Sequence, residues 1–247
     1  MVNPTNLAWN CDTEFVAQGR TGPVSFSVSS GSPSVSYREW GYGSWGEQGP
    51  WGQWSPKRLR LTGSESDAIS TSPSGIIDTY LGAICFKATP LNNPSSDGVW
   101  GELGVKGAGT DHIRWGWDAT RHPYVEWSGN DSAYTRVTLP GSVDAGDKHF
   151  YSIEWHVGDS SFRLYQDDLA FEEGAIPSPQ ENYGGPNFVL ESSDGTVVYS
   201  GLIIAGDRLS DAQRARLSAT EYWSMYTLLN RPYMARLRSQ FELRPAY

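Results

Sequence analysis

Between residues 57 and 207 the chain is a succession of short runs in which apolar and polar residues alternate. The runs are RLRLT (58–62), IIDTYLGAICFKA (76–88), WGELGV (100–105), HIRWGWD (112–118), YVEW (124–127), YTRVTL (134–139), HFYSIEWHV (149–157), SFRLYQ (161–166), NFVLES (187–192) and TVVYSGLIIA (196–205). A period of two is that of a pleated strand with one face buried, and no run among these keeps the 3.6-residue period of a helix. The turn signals SSDG, GAGTD, SGND and GDSS separate several of them. Many strands at short spacing with no helix between them predict an all-β sandwich or jelly roll of two antiparallel sheets.

The flanks differ from this body. Residues 1–56 are rich in Ser, Gly, Pro and Trp and read as an irregular N-terminal arm, with one or two strands in VSFSVSSGSPSVSY (24–37). Within it, EWGYGSWGEQGPWGQW (39–54) holds four of the eleven tryptophans and five glycines. It keeps no steady period, so it reads as a glycine-hinged loop whose indoles pack on a surface. Residues 208–247 change character again. Ser210 with Gln213 forms a capping-box pattern ahead of DAQRARLSA, which predicts a short helix. An aromatic stretch then leads to Pro232, where a helix must end or kink. From Arg208 onward seven arginines face three acids, a net of +4, while the whole chain carries −9. The first 207 residues therefore hold −13, and this acidic body argues against general nucleic-acid binding.

No run approaches the length of a membrane-spanning helix, and MVNPTNLAWN has neither a basic start nor an apolar core, so no secretory leader is expected. Cys85 lies in the apolar run AICF and reads as a buried thiol; a disulfide to Cys11 is open on sequence alone. His112, His122, His149 and His156 show no metal-ligand spacing, and no cofactor motif is present.

Three blocks carry a family resemblance. KRLRLTGSESDAIST (57–71), the hairpin HFYSIEWHVGDSSFRLYQDD (149–168) and the strand and helix start YSGLIIAGDRLSDAQRARLSA (199–219) resemble, in that order, segments of laminin-G-like domains of the concanavalin A-like superfamily. The resemblance implies a concanavalin A-like jelly-roll sandwich over 57–207, followed by a short helical tail. It also raises an enzyme reading, because laminarinase-type glucanases of this superfamily carry Glu-x-Asp-x-x-Glu on one strand. In the matching strand GELGVKGAG, Glu102 stands at the first Glu, but Gly104 and Gly107 stand at the other two positions. A retaining glycosidase needs two carboxyls about 5–5.5 Å apart, so no catalytic residue is assigned. Laminin-G-like domains often bind one calcium through loop acids. Asp111, Asp131, Asp167 and Asp168 are the candidates here, and solvated turn acids are the plainer reading.

Trp115 and Trp117 share a sheet face, with Trp127 on the expected partner strand. Such a row either stacks on sugar rings or forms one side of the core. The C-terminal segment resembles the aromatic, Pro-containing, basic ending of phage and prophage laminin-G-like proteins. That resemblance implies a non-enzymatic virion protein, a capsid decoration or tail accessory made in the host cytoplasm. It would be anchored to other virion proteins or to its own copies through Trp40, Trp45, Trp51, Trp54, Tyr226, Tyr233, Arg236, Arg238 and Phe241. The alternatives are a carbohydrate-binding module for attachment to host surface glycan and a glucanase-like hydrolase.

Overall fold

The computed structural model describes residues 5–11, 15–37, 58–105, 110–129, 134–167, 170–177 and 187–220. In chain order the strands are β1 (Thr5–Trp9), β2 (Val16–Gly19), β3 (Gly22–Ser25), β4 (Ser27–Ser30), β5 (Ser34–Tyr37), β6 (Arg58–Thr62), β7 (Ala68–Thr71), β8 (Leu81–Pro90) and β9 (Gly98–Leu103). They continue with β10 (Asp111–Trp117), β11 (Pro123–Gly129), β12 (Thr135–Thr138), β13 (His149–His156), β14 (Ser161–Gln166), β15 (Ala170–Ala175), β16 (Phe188–Glu191) and β17 (Thr196–Ala205), and the helix is α1 (Asp211–Ala219). The pairings are antiparallel throughout.

Two sheets form a jelly-roll sandwich. The ten-stranded sheet runs β15-β14-β13-β8-β17-β1-β2-β3, with β6 also on β17 and β5 on β6. The seven-stranded sheet runs β12-β11-β10-β9-β16-β7-β4. Between them lies one apolar core, in which Ile84, Phe86, Trp155, Phe162, Tyr199 and Leu202 from the first sheet meet Trp100, Ile113, Trp115, Trp127, Phe188 and Leu190 from the second. The alternation read from the sequence is what sends these residues inward.

The sandwich begins earlier than the expected boundary at residue 57. β1 pairs with β17 deep in the ten-stranded sheet, and β4 pairs with β7 at the edge of the other. Leu7, Trp9 and Phe26 are buried in the core, with the Trp9 and Phe26 rings stacked 5.1 Å apart. The small residues that suggested an irregular arm line exposed faces of β3 and β4, so β1 to β5 belong to the body. Trp40, Trp45, Trp51, Trp54, Tyr226, Tyr233, Arg236, Arg238 and Phe241 lie outside the described residues. No helix among the described residues is long and apolar enough to cross a membrane.

On the outer face of the ten-stranded sheet α1 packs over β1, β8, β13 and β17. Ser210 and Gln213 form the expected capping box, the Gln213 side chain accepting from the Ser210 N–H at 2.9 Å. Leu209 and Leu217 pack with Ala83, Cys85, Phe150 and Ile203 in a second, smaller core. At the other end of the helix the Lys87 ammonium donates to the carbonyls of Ser218 (2.9 Å) and Thr220 (2.7 Å), satisfying acceptors that a helix terminus leaves open. Cys85 lies in this outer core while Cys11 lies in the inter-sheet core; both are free thiols, and the sheet between them prevents the disulfide left open by the sequence. Burial pushes the Cys85 thiol well above its ordinary range, so it is inert.

Candidate functional site: the outer face of the seven-stranded sheet

The tryptophan row does not form a sugar platform. Trp115 and Trp117 are 1% exposed and Trp127 is fully buried. Trp117 packs on Trp100 at 5.6 Å, and Trp127 packs on Phe162 at 5.7 Å and donates its indole N–H to Asp111 at 3.2 Å. The core reading of this row is therefore the correct one, because the sheet face carrying these indoles faces the other sheet.

Alternation then turns the intervening residues outward: His112 and Arg114 on β10, Tyr124 and Glu126 on β11, Arg136 on β12, Glu102 on β9 and Glu191 on β16. Strand register sets four of them in one row, since Arg136 is opposite Glu126, Glu126 opposite Arg114, and Arg114 opposite Glu102. The signs alternate along that row. Arg114 pairs through Nε with Glu126, while Arg136 reaches Glu126 at 3.2 Å and Asp97 at 2.6 Å. Burial works against both guanidinium charges, but the carboxylates more than offset it and hold both pKa values above the ordinary range. Each guanidinium also lies over a tyrosine ring, Arg114 over Tyr134 at 4.4 Å and Arg136 over Tyr124 at 3.9 Å.

At the far end of the row the interactions become sparser. Glu102 meets His112 Nε2 at 3.1 Å, and His112 Nδ1 meets the Tyr134 hydroxyl at 2.7 Å. With Glu102 ionised, Nε2 donates to it and Nδ1 accepts from the tyrosine. Beyond Glu102, β16 places Val189 directly opposite and Glu191 two residues on, on the same side. Diagonal positions of this kind are roughly 7–8 Å apart along a sheet. Burial, and then the charge of Glu102, push the Glu191 carboxyl up to about 7, with Arg114 pulling the other way.

The one-strand catalytic pattern is absent for a backbone reason as well as a compositional one. β9 ends at Leu103, and Gly104 has φ +89°, a left-handed conformation that an aspartate would adopt only under strain. Gly107 lies outside the described residues. Among the described residues no group of three or more His, Cys, Asp or Glu side chains could hold a metal ion. Of the calcium candidates, Asp111 is buried against Trp127, Asp167 pairs with His149 at 2.9 Å, and Asp131 and Asp168 are not among the described residues.

No family model and no curated protein matches the chain. Solved structures do. The binding domain of botulinum neurotoxin serotype D/C aligns with a TM-score of 0.62 at 12% identity, over 87% of this chain and 51% of that one. The binding domain of botulinum neurotoxin DC in complex with SialylT gives 0.60 at 10% identity, over 85% and 49%. A Trypanosoma rangeli sialidase in complex with 2,3-difluoro-KDN gives 0.58 at 11%, over 88% and 32%. The chain spans about half the length of the neurotoxin domains and about a third of the sialidase. At such low identity the likeness is one of fold, and it agrees with the jelly roll.

Sequence reasoning had singled out Glu102 and His112 but not Arg114, Tyr124, Glu126, Tyr134, Arg136 or Glu191. For Arg114, Tyr124 and Glu126 the signal was present in β10 and β11, at the positions alternating with the tryptophans.

Proposed function

We propose that this chain is a non-catalytic glycan-binding module whose ligand lies on the outer face of the seven-stranded sheet. The observation that carries the reading is the row Arg136–Glu126–Arg114–Glu102, a partly exposed and internally braced set of hydrogen-bonding groups edged by Tyr124 and Tyr134. Planar donors and acceptors held rigid by one another suit the recognition of sugar hydroxyls, because little side-chain freedom remains to be lost on binding. Jelly-roll neighbours solved with SialylT and with 2,3-difluoro-KDN support the choice of ligand class. Gly104 and Gly107, standing where the glucanase pattern needs carboxyls, support binding without turnover. Carried on a virion, as the resemblance of the C-terminal segment implies, such a module would serve host attachment.

The test is a glycan array followed by calorimetry on the hits, with Arg114→Ala and Tyr134→Ala alongside the parent protein. Binding that falls at least tenfold in both variants, with cooperative unfolding retained, is the expected result. Hits that survive both substitutions place the ligand elsewhere. Release of reducing sugar from β-glucan that disappears in Glu102→Gln overturns the non-catalytic reading.

A further inference from the structure

A second surface lies on the other sheet, away from the arginine row. The apolar side of α1 seats on β1, β8, β13 and β17, and β14 and β15 lie beyond it at the sheet edge. Phe162 and Leu164 turn into the core, so Ser161, Arg163 and Tyr165 alternate outward along β14. Among the described side chains the large aromatic ones that stand exposed are Phe171, at 51%, and Tyr80, at 40%. They mark the two ends of this strip. Phe171 is opposite Tyr165 with the rings stacked at 5.2 Å, and the Arg214 guanidinium backs Tyr165 at 4.0 Å. At the Ser161 end Tyr80 is set edge-on to His156 at 5.4 Å. Its main chain is fixed by an N–H donated to Asp78 and a carbonyl that accepts from the Val157 N–H, both at 2.8 Å.

Polar groups fill the interval between the rings. His156 Nδ1 lies 2.7 Å from Asp159 Oδ2, and Arg208 reaches the same oxygen at 3.1 Å and the hydroxyl and carbonyl of Ser161 at 2.7 Å. Arg163 Nε lies 3.2 Å from Glu173, with its guanidinium 6.0 Å from the centre of the Phe171 ring. Arg163 and Arg208 offset the charges of Asp159 and Glu173. Both contacts of Asp159 fall on Oδ2, so Oδ1 has no partner among the described residues. With Nδ1 facing a carboxylate, a neutral His156 carries its proton there and presents Nε2 as an acceptor.

We infer that this strip is a second sugar site, for an uncharged oligosaccharide that stacks on Tyr80 and Phe171 and bonds its intervening hydroxyls to His156, Asp159 and the Arg163–Glu173 pair. Aromatic faces take the apolar face of a sugar ring, while acceptors and donors side by side match hydroxyls that both donate and accept. The four residues from Ser161 to Tyr165 span roughly 13 Å, which calls for a chain of sugars rather than one. The balanced charges favour a neutral ligand. A protein partner fits less well, because the exposed apolar area is divided between separate rings rather than contiguous. Glu172 and Glu173 on the edge strand β15 also discourage strand addition.

The experiment titrates the full chain by calorimetry with neutral cello-, laminari- and chito-oligosaccharides of increasing length. The variants are Tyr80→Ala, Phe171→Ala and Gly158→Ala, each also combined with Arg114→Ala, and circular dichroism confirms their folding. A Cβ at Gly158 would stand 2.4 Å from the Tyr80 hydroxyl and 3.2 Å from His156 Cε1, so Gly158→Ala shifts both side chains while removing no polar group. Affinity that rises with chain length, and falls about tenfold for the long oligomers in each aromatic variant, is the expected result. Gly158→Ala weakens binding in the same direction. The falls persist in the Arg114→Ala background, because the strip does not depend on the other face. Binding unmoved by Tyr80→Ala and Phe171→Ala but lost in Arg114→Ala overturns this inference and leaves the sheet-face reading standing. Sialylated oligosaccharides bound as tightly as neutral ones overturn the choice of an uncharged ligand, and no binding by any oligosaccharide overturns the site.

Discussion

Replacing Arg214 by methionine tests how α1 is held to the ten-stranded sheet. Its guanidinium Nη1 lies 3.1 and 3.2 Å from the two oxygens of Glu154 and donates to the Leu209 carbonyl at 2.7 Å, while the Tyr165 ring lies 4.0 Å below it. Glu154 is 1% exposed and also accepts from the Ser152 hydroxyl at 2.8 Å and from the Leu209 N–H at 3.2 Å. Removing the arginine leaves a buried carboxylate with two neutral donors and no counter-charge. Breaking a buried pair in this way costs about 3–5 kcal/mol. For a chain of this length that lowers Tm by roughly 6–20 °C. Changing Glu154 and Arg214 together to methionine removes both charges, and this double variant is expected within about 1 kcal/mol of the parent.

The measurement is urea unfolding followed by circular dichroism at pH 7 and pH 4.5. Burial raises the Glu154 pKa above its ordinary value of 4.5 against the opposing pull of Arg214. A group raised in the folded state contributes stability that is fully present below the unfolded value and is lost as the pH climbs through the folded one. Without Arg214 the folded value rises further, so the single variant's deficit should be largest at pH 7 and shrink toward pH 4.5 as Glu154 takes up its proton. A single variant that loses under about 1 kcal/mol at pH 7, the range of an exposed pair, refutes the reasoning. So does a double variant no more stable than the single one.

Two further substitutions probe the seven-stranded sheet. In Gly116→Ala the new Cβ would stand 1.9 Å from the Gly98 carbonyl oxygen, a backbone atom that cannot step aside, so β9 and β10 must separate; a loss of at least about 2 kcal/mol is expected. Gly141→Ala, whose Cβ meets nothing within 4 Å, is the control and should unfold like the parent. Trp115→Ala should cost about 3–5 kcal/mol in denaturant titration by opening a core cavity; parent-like stability combined with lost glycan binding would restore the discarded sugar platform.

Most of the sandwich was legible because one face of each strand is buried and the period of two records it. The helix start was legible because a capping box is a local signal. Two parts were not. β3, β4 and β5 are rich in serine and glycine, which signal turns as strongly as they permit strands, and β1 and β2 are short runs ahead of them. β15 was not among the runs read from the sequence, since the adjacent Glu172 and Glu173 break the alternation, yet it is an edge strand, where charged residues face water and discourage further pairing. The candidate site divides in the same way. Arg114, Glu126 and Arg136 lie on consecutive hairpin strands, so their row follows from alternation once the indoles are assigned inward. Glu191 does not follow, since β16 reaches Glu102 only through a long-range pairing that no local pattern encodes.

The two outer faces of the sandwich spend their polar groups differently, and that difference bears on where a ligand is expected. On the ten-stranded sheet Lys87, Ser152 and Glu154 point away from the main core, and each is used by the chain itself: Lys87 caps α1, and Ser152 and Glu154 anchor Arg214 and Leu209. A ligand arriving there would have to displace a helix seated on its own apolar patch. On the seven-stranded sheet the polar groups brace one another within the sheet plane. The bracing is complete at the β12 edge, where Arg136 has two carboxylate partners, and it thins toward β16, where Glu102 has His112 beside it and Glu191 stands two residues beyond the position opposite Glu102. Like-charged neighbours lower the stability of a sheet face, and the Glu191 carboxyl, pushed up to about 7 by burial and by Glu102, eases that cost by taking a proton. The fold therefore leaves its least-braced polar groups at the β16 end of the row, on the sheet face where the ligand is expected.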